Sequence, residues 1–164
     1  MKSLRLLLQR LADAGLEFVV IGGFAGVLHG SSYVTRDLDI CAVMSPENFA
    51  KLRQALSDLN PVHRMTPKKL SFLHHPGDDS RLLNVHLETD AGAVDVLGDV
   101  LGIGAYEELV QNSIEIPLFG RTCRVISLEA LIKAKEAVGR EKDLLVAKEL
   151  QAIAAKRKAA AESG

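Results

Sequence analysis

The chain of 164 residues has few of the residue types that define specialised protein classes. It contains no tryptophan and two cysteines, too few for a disulfide-stabilised scaffold. No hydrophobic run approaches the roughly 20 residues that a membrane helix needs. The formal net charge is -1, so no overall positive field attracts nucleic acid. The hydrophobic content of 48% is enough for one well-buried core, and we expect a single domain.

The two cysteines and the N-terminal segment indicate the cellular compartment of the protein. Cys41 and Cys123 lie in apolar, strand-like segments without the spacing of a metal or redox motif, which favours buried free thiols. The first segment, MKSLRLLLQRLADAG, has Arg5 and Arg10 among its leucines, a pattern typical of an amphipathic helix and not of a signal peptide. We therefore predict a cytoplasmic protein with no membrane partner.

Hydrophobic periodicity and turn residues predict one domain over residues 1–153, with a frayed tail over 154–164. Helices are predicted from the leucines at 4, 7, 8 and 11, then over 24–29, 45–59, 106–111 and 127–138, and from 140 or 141 onward. Strands are predicted over 17–21, 37–43, 71–74, 82–88, 93–97, 114–118 and 121–126. The last four of these strands form two hairpins, with turns at 89–92 and 119–120.

Two acids stand close together on one predicted strand. Side chains alternate along a strand, so Asp37 and Asp39 project from one face while Leu38 and Ile40 point into the core. Magnesium binds one or two protein carboxylates together with phosphate oxygens, and this pair can supply them beside a nucleotide. The same pattern also occurs on the solvated face of an edge strand, and the spacing alone does not separate the two interpretations.

A third acid, Asp95, lies inside the apolar segment 92–98. A carboxylate there costs several kcal/mol unless it meets solvent, a basic partner or a metal. On the preceding strand Asn84, His86 and Glu88 share one face. They either line a cleft with Asp95 or form the solvated face of a hairpin.

The glycine pair Gly22-Gly23 lies where a strand gives way to a short helix. Glycines at such a turn let the backbone approach a phosphate, and N–H groups at a helix start present positive charge to it. A tight turn that needs positive φ explains the pair equally well. Thirteen residues separate Gly23 from Asp37, enough for both motifs to meet at one end of the sheet. Between them, Ser31 is either a phosphate donor or an ordinary turn residue.

The glycine pair, Asp37-x-Asp39 and the later Asp95 together resemble the nucleotidyltransferase superfamily, which includes the DNA polymerase beta type of fold. More narrowly, IGGFAGVLHGSSYVTRDLDI and ISLEALIKAKEAVGREKDLLVAKEL resemble small bacterial nucleotidyltransferases of abortive-infection and toxin-antitoxin modules. The match spans residues 17–150. It implies an α+β nucleotidyltransferase fold, with a mixed β-sheet flanked by helices and with C-terminal helices.

The resemblance also implies an activity. Two magnesium or manganese ions would be held by Asp37, Asp39 and Asp95, with Asp95 as the base, and Gly22, Gly23 and Ser31 would bind the nucleotide. A nucleoside monophosphate would pass from a nucleoside triphosphate to an acceptor (transfer RNA, protein or small molecule) while pyrophosphate leaves. Lys135 is similar to the family's lysine on a late helix and would reach the triphosphate; otherwise it belongs to a solvated helix face.

Two departures from the family pattern support a second hypothesis. Many relatives carry arginine at the position of Tyr33 and serine at the position of Gly23. A catalytically silent module that binds a nucleotide, or a cognate toxin or antitoxin, is therefore the alternative. The retained third acid, Asp95, favours an enzyme. A metal-dependent phosphohydrolase is a third possibility, because the same acids could activate water.

Overall fold

The computed structural model describes residues 3–163; Met1, Lys2 and Gly164, which belong to the predicted first helix and tail, lie outside the described residues. The helices are α1 (Leu4–Asp13), α2 (Gly22–Leu28), α3 (Pro46–Leu56), α4 (Tyr106–Gln111), α5 (Leu128–Val138) and α6 (Glu141–Ser163). The strands are β1 (Val19–Ile21), β2 (Asp37–Cys41), β3 (Val62–His63), β4 (Asn84–Thr89), β5 (Gly92–Leu97), β6 (Asp99–Val100), β7 (Gly104–Ala105), β8 (Ser113–Leu118) and β9 (Arg121–Ile126).

Seven strands form one mixed sheet in the order β3-β4-β5-β2-β1-β9-β8, and β6 and β7 form a separate two-stranded sheet. Strand β2 pairs parallel with β5 and antiparallel with β1, and β1 pairs parallel with β9. The two predicted hairpins, β4–β5 and β8–β9, are antiparallel pairs. The predicted α+β class, a mixed sheet flanked by helices, is confirmed.

Local sequence signals fix several element ends. The hydroxyl groups of Ser3, Ser45 and Ser127 accept hydrogen bonds from backbone N–H groups in the first turns of α1, α3 and α5. Helix α5 ends at Val138, and the next residue, Gly139, has a φ of 71°, the left-handed conformation that favours glycine. The chain then enters α6 at Glu141.

The core lies around the central strands. All three residues of β1 are buried, and Leu38 and Ile40 of β2 are fully buried, as the alternation along the strand predicts. Burial of such aliphatic side chains contributes about 1.5–3 kcal/mol each relative to exposure. The thiols of Cys41 and Cys123 are free and buried, which confirms the prediction for both.

The structure differs from the predicted elements at several places. Helix α3 ends at Leu56, followed by a turn in which Leu59 N–H donates to the Leu56 carbonyl. Around the predicted strand at 71–74 there is one isolated bridge, between Val62 and Ser71. Strands β3, β6 and β7 have two residues each, too few for a periodic pattern to reveal them.

The last helix is longer than expected. Helix α6 runs to Ser163, past residue 154, where the tail was predicted to fray. A tertiary contact ties this part of α6 to the end of α2, since Arg157 Nη2 donates to the His29 carbonyl at 2.9 Å. Within residues 3–163, none of the helices is both long and apolar enough to cross a membrane.

Candidate active site

The parallel pairing of β2 with β5 brings the predicted acids together. In this register Asp39 lies opposite Asp95 and Asp37 lies opposite Ala93. Asp39 and Asp95 therefore project from the same face of neighbouring strands, and their carboxyl groups share a hydrogen bond. Asp37 is exposed at the start of β2.

The environment of Asp39 favours a bound proton. Burial is the largest cause, and the Asp95 and Asp37 charges and the hydrogen bond to Asp95 act in the same direction. Together they raise the pKa of Asp39 from 3.8 to about 6, while Lys135 acts to lower it. A cation placed beside Asp39 and Asp95 would relieve this repulsion and displace the proton.

Asp95 has a basic partner, as its apolar strand requires. Arg64 Nη2 donates to both oxygens of Asp95, at 2.7 and 3.0 Å, and His86 Nδ1 lies 3.1 Å from Asp95 Oδ1. His86 is also the register partner of Asp95 across β4 and β5. Of the three residues on the polar face of the hairpin, His86 therefore contacts Asp95.

Arg64 is the residue that sequence reasoning missed. It follows β3, and its backbone N–H donates to the His86 carbonyl at 2.9 Å. Its guanidinium also donates to the Leu87 carbonyl at 3.3 Å. The pairing of β3 with β4 places Arg64 beside Asp95, 31 residues away. The signal available in the sequence is Asp95 itself, because an acid in an apolar strand with no neighbouring base requires a cation from elsewhere in the chain.

The two glycines of the motif have different surroundings. Gly22 has a φ of +67°, and a methyl group on it would lie 2.3 Å from Asp39 Oδ2, so the chain packs directly against the acid there. Gly23 lies in the first turn of α2, where a methyl group would lie 3.2 Å from Thr35 Oγ1. Gly22 thus has the positive φ of the turn interpretation and packs against Asp39, while phosphate binding by the glycine pair stays a prediction.

Helices α5 and α6 bring basic side chains to the same place. Lys135 Nζ lies 3.8 Å from Asp143 Oδ1, and Arg140 Nε donates to Asp143 Oδ2 at 2.7 Å. Arg140 holds the pKa of the buried Asp143 carboxyl below its usual value, with a smaller effect from Lys135. Asp143 therefore fixes the Lys135 side chain, which is only 20% exposed, near the acids.

Ser31 has its hydrogen bonds filled within the protein. The hydroxyl groups of Ser31 and Ser32 and the Ser32 N–H all donate to the Glu149 carboxylate of α6. The Ser31 oxygen also accepts from the Tyr33 N–H at 3.2 Å. A phosphate contact by Ser31 would require its hydroxyl to leave Glu149, and its role as a nucleotide ligand stays a prediction.

A cleft of about 280 Å³ lies beside Asp39 and Lys135, and Asp95, Arg64 and His86 are not among its lining residues. Its lining includes Gly22, Gly23, Ser31, Asp37, Asp39 and Lys135. A smaller, mostly apolar slot of about 150 Å³ adjoins it at Gly22, Asp39 and Lys135. A larger concavity, about 600 Å³, lies elsewhere, around Tyr106 and Glu107, and its lining residues include no acid pair comparable to Asp39 and Asp95.

The acids offer two adjacent carboxylate groups to a metal ion. Across residues 3–163, no three His, Cys, Asp or Glu side chains converge closely enough to form a complete metal site. The donor chemistry nevertheless fits magnesium or manganese, because Asp39 and Asp95 offer adjacent carboxylate oxygens and repel each other in the absence of a cation. Asp37 acts on the same group through its charge.

Comparison with known proteins identifies the fold. No protein-family model matches the chain, and no curated protein is significantly similar to it. Among solved structures, a nucleotidyltransferase candidate from Thermotoga maritima is similar with a TM-score of 0.55 and 23% identity, over 90% of each chain. The lincosamide antibiotic adenylyltransferase LnuA, bound to lincomycin, has a TM-score of 0.58 and 18% identity, over 93% of this chain and 98% of its own.

The antibiotic-resistance factor ANT(2'')-Ia has a TM-score of 0.50 and 19% identity, over 97% of this chain and 95% of its own. These identities are low, so they establish the architecture and not the activity. The chain has the nucleotidyltransferase fold.

Proposed function

We propose that the protein is a magnesium- or manganese-dependent nucleotidyltransferase. The observation that carries this proposal is the pairing of Asp39 with Asp95 on parallel strands beside Gly22, in a chain with the nucleotidyltransferase fold. The donor is a nucleoside triphosphate, and the acceptor is a hydroxyl group. The reaction joins the acceptor oxygen to the α-phosphorus. It breaks the bond between the α-phosphorus and the oxygen that bridges the α- and β-phosphates, and pyrophosphate leaves.

Each residue has a role in this proposal. Asp37, Asp39 and Asp95 would hold the divalent ions, which when bound stabilise the attacking and leaving oxygens of an in-line displacement. Asp95 takes the proton of the attacking hydroxyl group. Gly22 and Gly23 line the cleft in which the phosphates would bind, and Ser31 donates to them once its hydroxyl group has left Glu149. Lys135 supplies a fixed positive charge for the departing pyrophosphate.

The acceptor class is open to direct assay. Transfer RNA, proteins and small molecules all present suitable hydroxyl groups. The fold neighbour LnuA is an antibiotic adenylyltransferase bound to lincomycin, which makes lincosamides the first small molecules to test. We place the reaction in the cytoplasm, in agreement with the two free thiols.

The experiment that tests the proposal is a label-transfer assay. The protein is incubated with MgCl₂, each α-³²P-labelled nucleoside triphosphate and either a bacterial extract or lincomycin. We expect one labelled acceptor and an equal amount of pyrophosphate, both absent with Asp39→Asn. Label released as free nucleotide in place of a labelled acceptor would instead identify a phosphohydrolase.

A second candidate function is a catalytically silent nucleotide-binding module. The observation that favours it is that Arg64 and His86 both engage the Asp95 carboxylate. Tyr33, at the position where many relatives carry arginine, is 43% exposed beside the cleft. Such a module would act through a cognate toxin or antitoxin protein. Nucleotide binding without transfer to any acceptor, with unchanged affinity in Asp95→Asn, would support this function over the enzyme.

A further inference from the structure

The contact between Arg64 and Asp95 has a geometry that bears on how the site is loaded. One guanidinium nitrogen, Nη2, makes both contacts with the carboxylate, at 2.7 and 3.0 Å. The paired two-nitrogen fork, which is the strongest arginine–carboxylate arrangement, is therefore not formed. The Arg64 side chain is 29% exposed, so water reaches the contact and can replace it.

The backbone and the side chain of Arg64 are held by different contacts. The backbone N–H donates to the His86 carbonyl at 2.9 Å, which fixes the start of the segment after β3. The guanidinium has a second acceptor at the Leu87 carbonyl, at 3.3 Å. Because both anchors are on β4, the guanidinium can leave Asp95 while the strands keep their register. The Asp95 oxygens that it vacates are the ones proposed to bind the metal.

We propose that Arg64 is a built-in counterion that competes with the divalent cation for Asp95. This inference rests on the proposed function, since it concerns the same acids. In the metal-free protein, Arg64 balances the charge of Asp95 and keeps it beside Asp39. A metal ion must displace this guanidinium to use the Asp95 oxygens, so Arg64 lowers the affinity of the site for metal.

A competing counterion and a simple orienting residue predict opposite effects on metal binding. If Arg64 competes, its removal strengthens metal binding while weakening the metal-free fold. If Arg64 only orients Asp95, its removal weakens both metal binding and the metal-free fold. Isothermal calorimetry with MnCl₂ and thermal unfolding in EDTA separate the two possibilities without any measurement of activity.

The variant is Arg64→Gln, and the chain offers a matched control in Arg53→Gln. Arg53 is also partly buried and pairs with an aspartate, Asp79, at 2.6 and 2.7 Å, but Asp79 is not one of the site acids. Both substitutions remove one positive charge. We expect Arg64→Gln to bind Mn²⁺ about tenfold more tightly than the wild type, and Arg53→Gln to bind it within about twofold. Both variants should unfold at a lower temperature in EDTA.

A double-mutant cycle completes the test. In an Asp95→Asn background, Arg64→Gln should leave Mn²⁺ affinity unchanged, because the carboxylate for which Arg64 and the metal compete is absent. Unchanged or weaker Mn²⁺ binding in Arg64→Gln overturns the competition. If Arg64→Gln fails this test but wild type binds Mn²⁺ and Asp39→Asn does not, the proposed metal site stands and only the competition by Arg64 is overturned. No Mn²⁺ binding in either wild type or Arg64→Gln overturns both proposals.

Discussion

Gly22 packs so closely against Asp39 that any side chain larger than hydrogen would disturb the acid. A methyl group at Gly22 would meet Asp39 Oδ2 at 2.3 Å, and the φ of +67° adds backbone strain. We expect Gly22→Ala to lose stability by about 1–2 kcal/mol from the strain. It should also abolish Mn²⁺ binding, because the Asp39 carboxylate must move away from Asp95.

Gly15 provides the matched control for this prediction. Its φ is +77°, close to that of Gly22, but a methyl group there meets nothing within 4 Å. Gly15→Ala should therefore lose a similar amount of stability in urea unfolding while binding Mn²⁺ normally in calorimetry. If Gly22→Ala binds Mn²⁺ as well as Gly15→Ala does, Gly22 acts as a turn residue and nothing more.

The raised pKa of Asp39, about 6, predicts a pH dependence with a definite sign. The native state binds the Asp39 proton more tightly than the unfolded state, so the metal-free protein loses stability as pH rises from about 4 to about 6. Asp39→Asn removes this loss. At pH 8 in EDTA the variant should be more stable than wild type by about 1–2 kcal/mol, and the difference should vanish near pH 3.

Urea unfolding at several pH values measures this difference. Saturating Mn²⁺ should reverse its sign, since wild type gains binding free energy that Asp39→Asn lacks. A constant difference between the two proteins from pH 3 to pH 8 would show that Asp39 keeps an ordinary pKa and that the acids are not close enough to interact.

At the scale of elements, α5 presents two lysines in different directions. Lys135 lines the cleft and is held near Asp143, whereas Lys133, about 200° around the helix, is exposed on another face. If Lys135 stabilises the departing pyrophosphate, Lys135→Ala should reduce the rate of transfer about tenfold or more, corresponding to at least about 1.4 kcal/mol.

Lys133→Ala removes the same charge from the same helix and should leave the rate of transfer within about twofold of wild type. Initial rates of label transfer measure both variants. Equal rates would mean that Lys135 contributes only to the general field of the helix and that the carboxylates alone carry the catalytic hypothesis.

At the scale of the whole molecule, the C-terminal part of α6 contacts the end of α2. Arg157 donates to the carbonyl of the buried His29 and lies 3.3 Å from His29 Nδ1, while His29 Nε2 lies 2.7 Å from the Ile126 carbonyl. Arg157→Met should cost about 1–2 kcal/mol in urea unfolding, because the Nδ1 atom and the carbonyl group of the buried His29 lose their donor. Lys158→Met, at an exposed neighbouring position, should change stability by less than about 0.5 kcal/mol.

A stability loss in Arg157→Met equal to that in Lys158→Met would contradict the tie between α6 and α2. Hydrogen exchange offers an independent measurement, since amides around residue 157 should exchange more slowly in wild type than in Arg157→Met.

The sequence by itself determined the features that depend on local spacing. Alternation in 37–40 placed Asp37 and Asp39 apart from the buried Leu38 and Ile40, and turn residues identified both hairpins. These predictions succeeded because side-chain direction in a strand and backbone geometry in a turn depend on immediate neighbours.

Only the tertiary structure decided which distant residues meet. The parallel register of β2 and β5 put Asp39 opposite Asp95, the two-residue strand β3 brought Arg64 to Asp95, and Glu149 of α6 took the hydrogen bonds of Ser31. Arg157, on the part of α6 beyond residue 154, likewise meets the distant His29. Such contacts join groups from 31 to 128 residues apart, and their energy exists only once the sheet and the helices have packed.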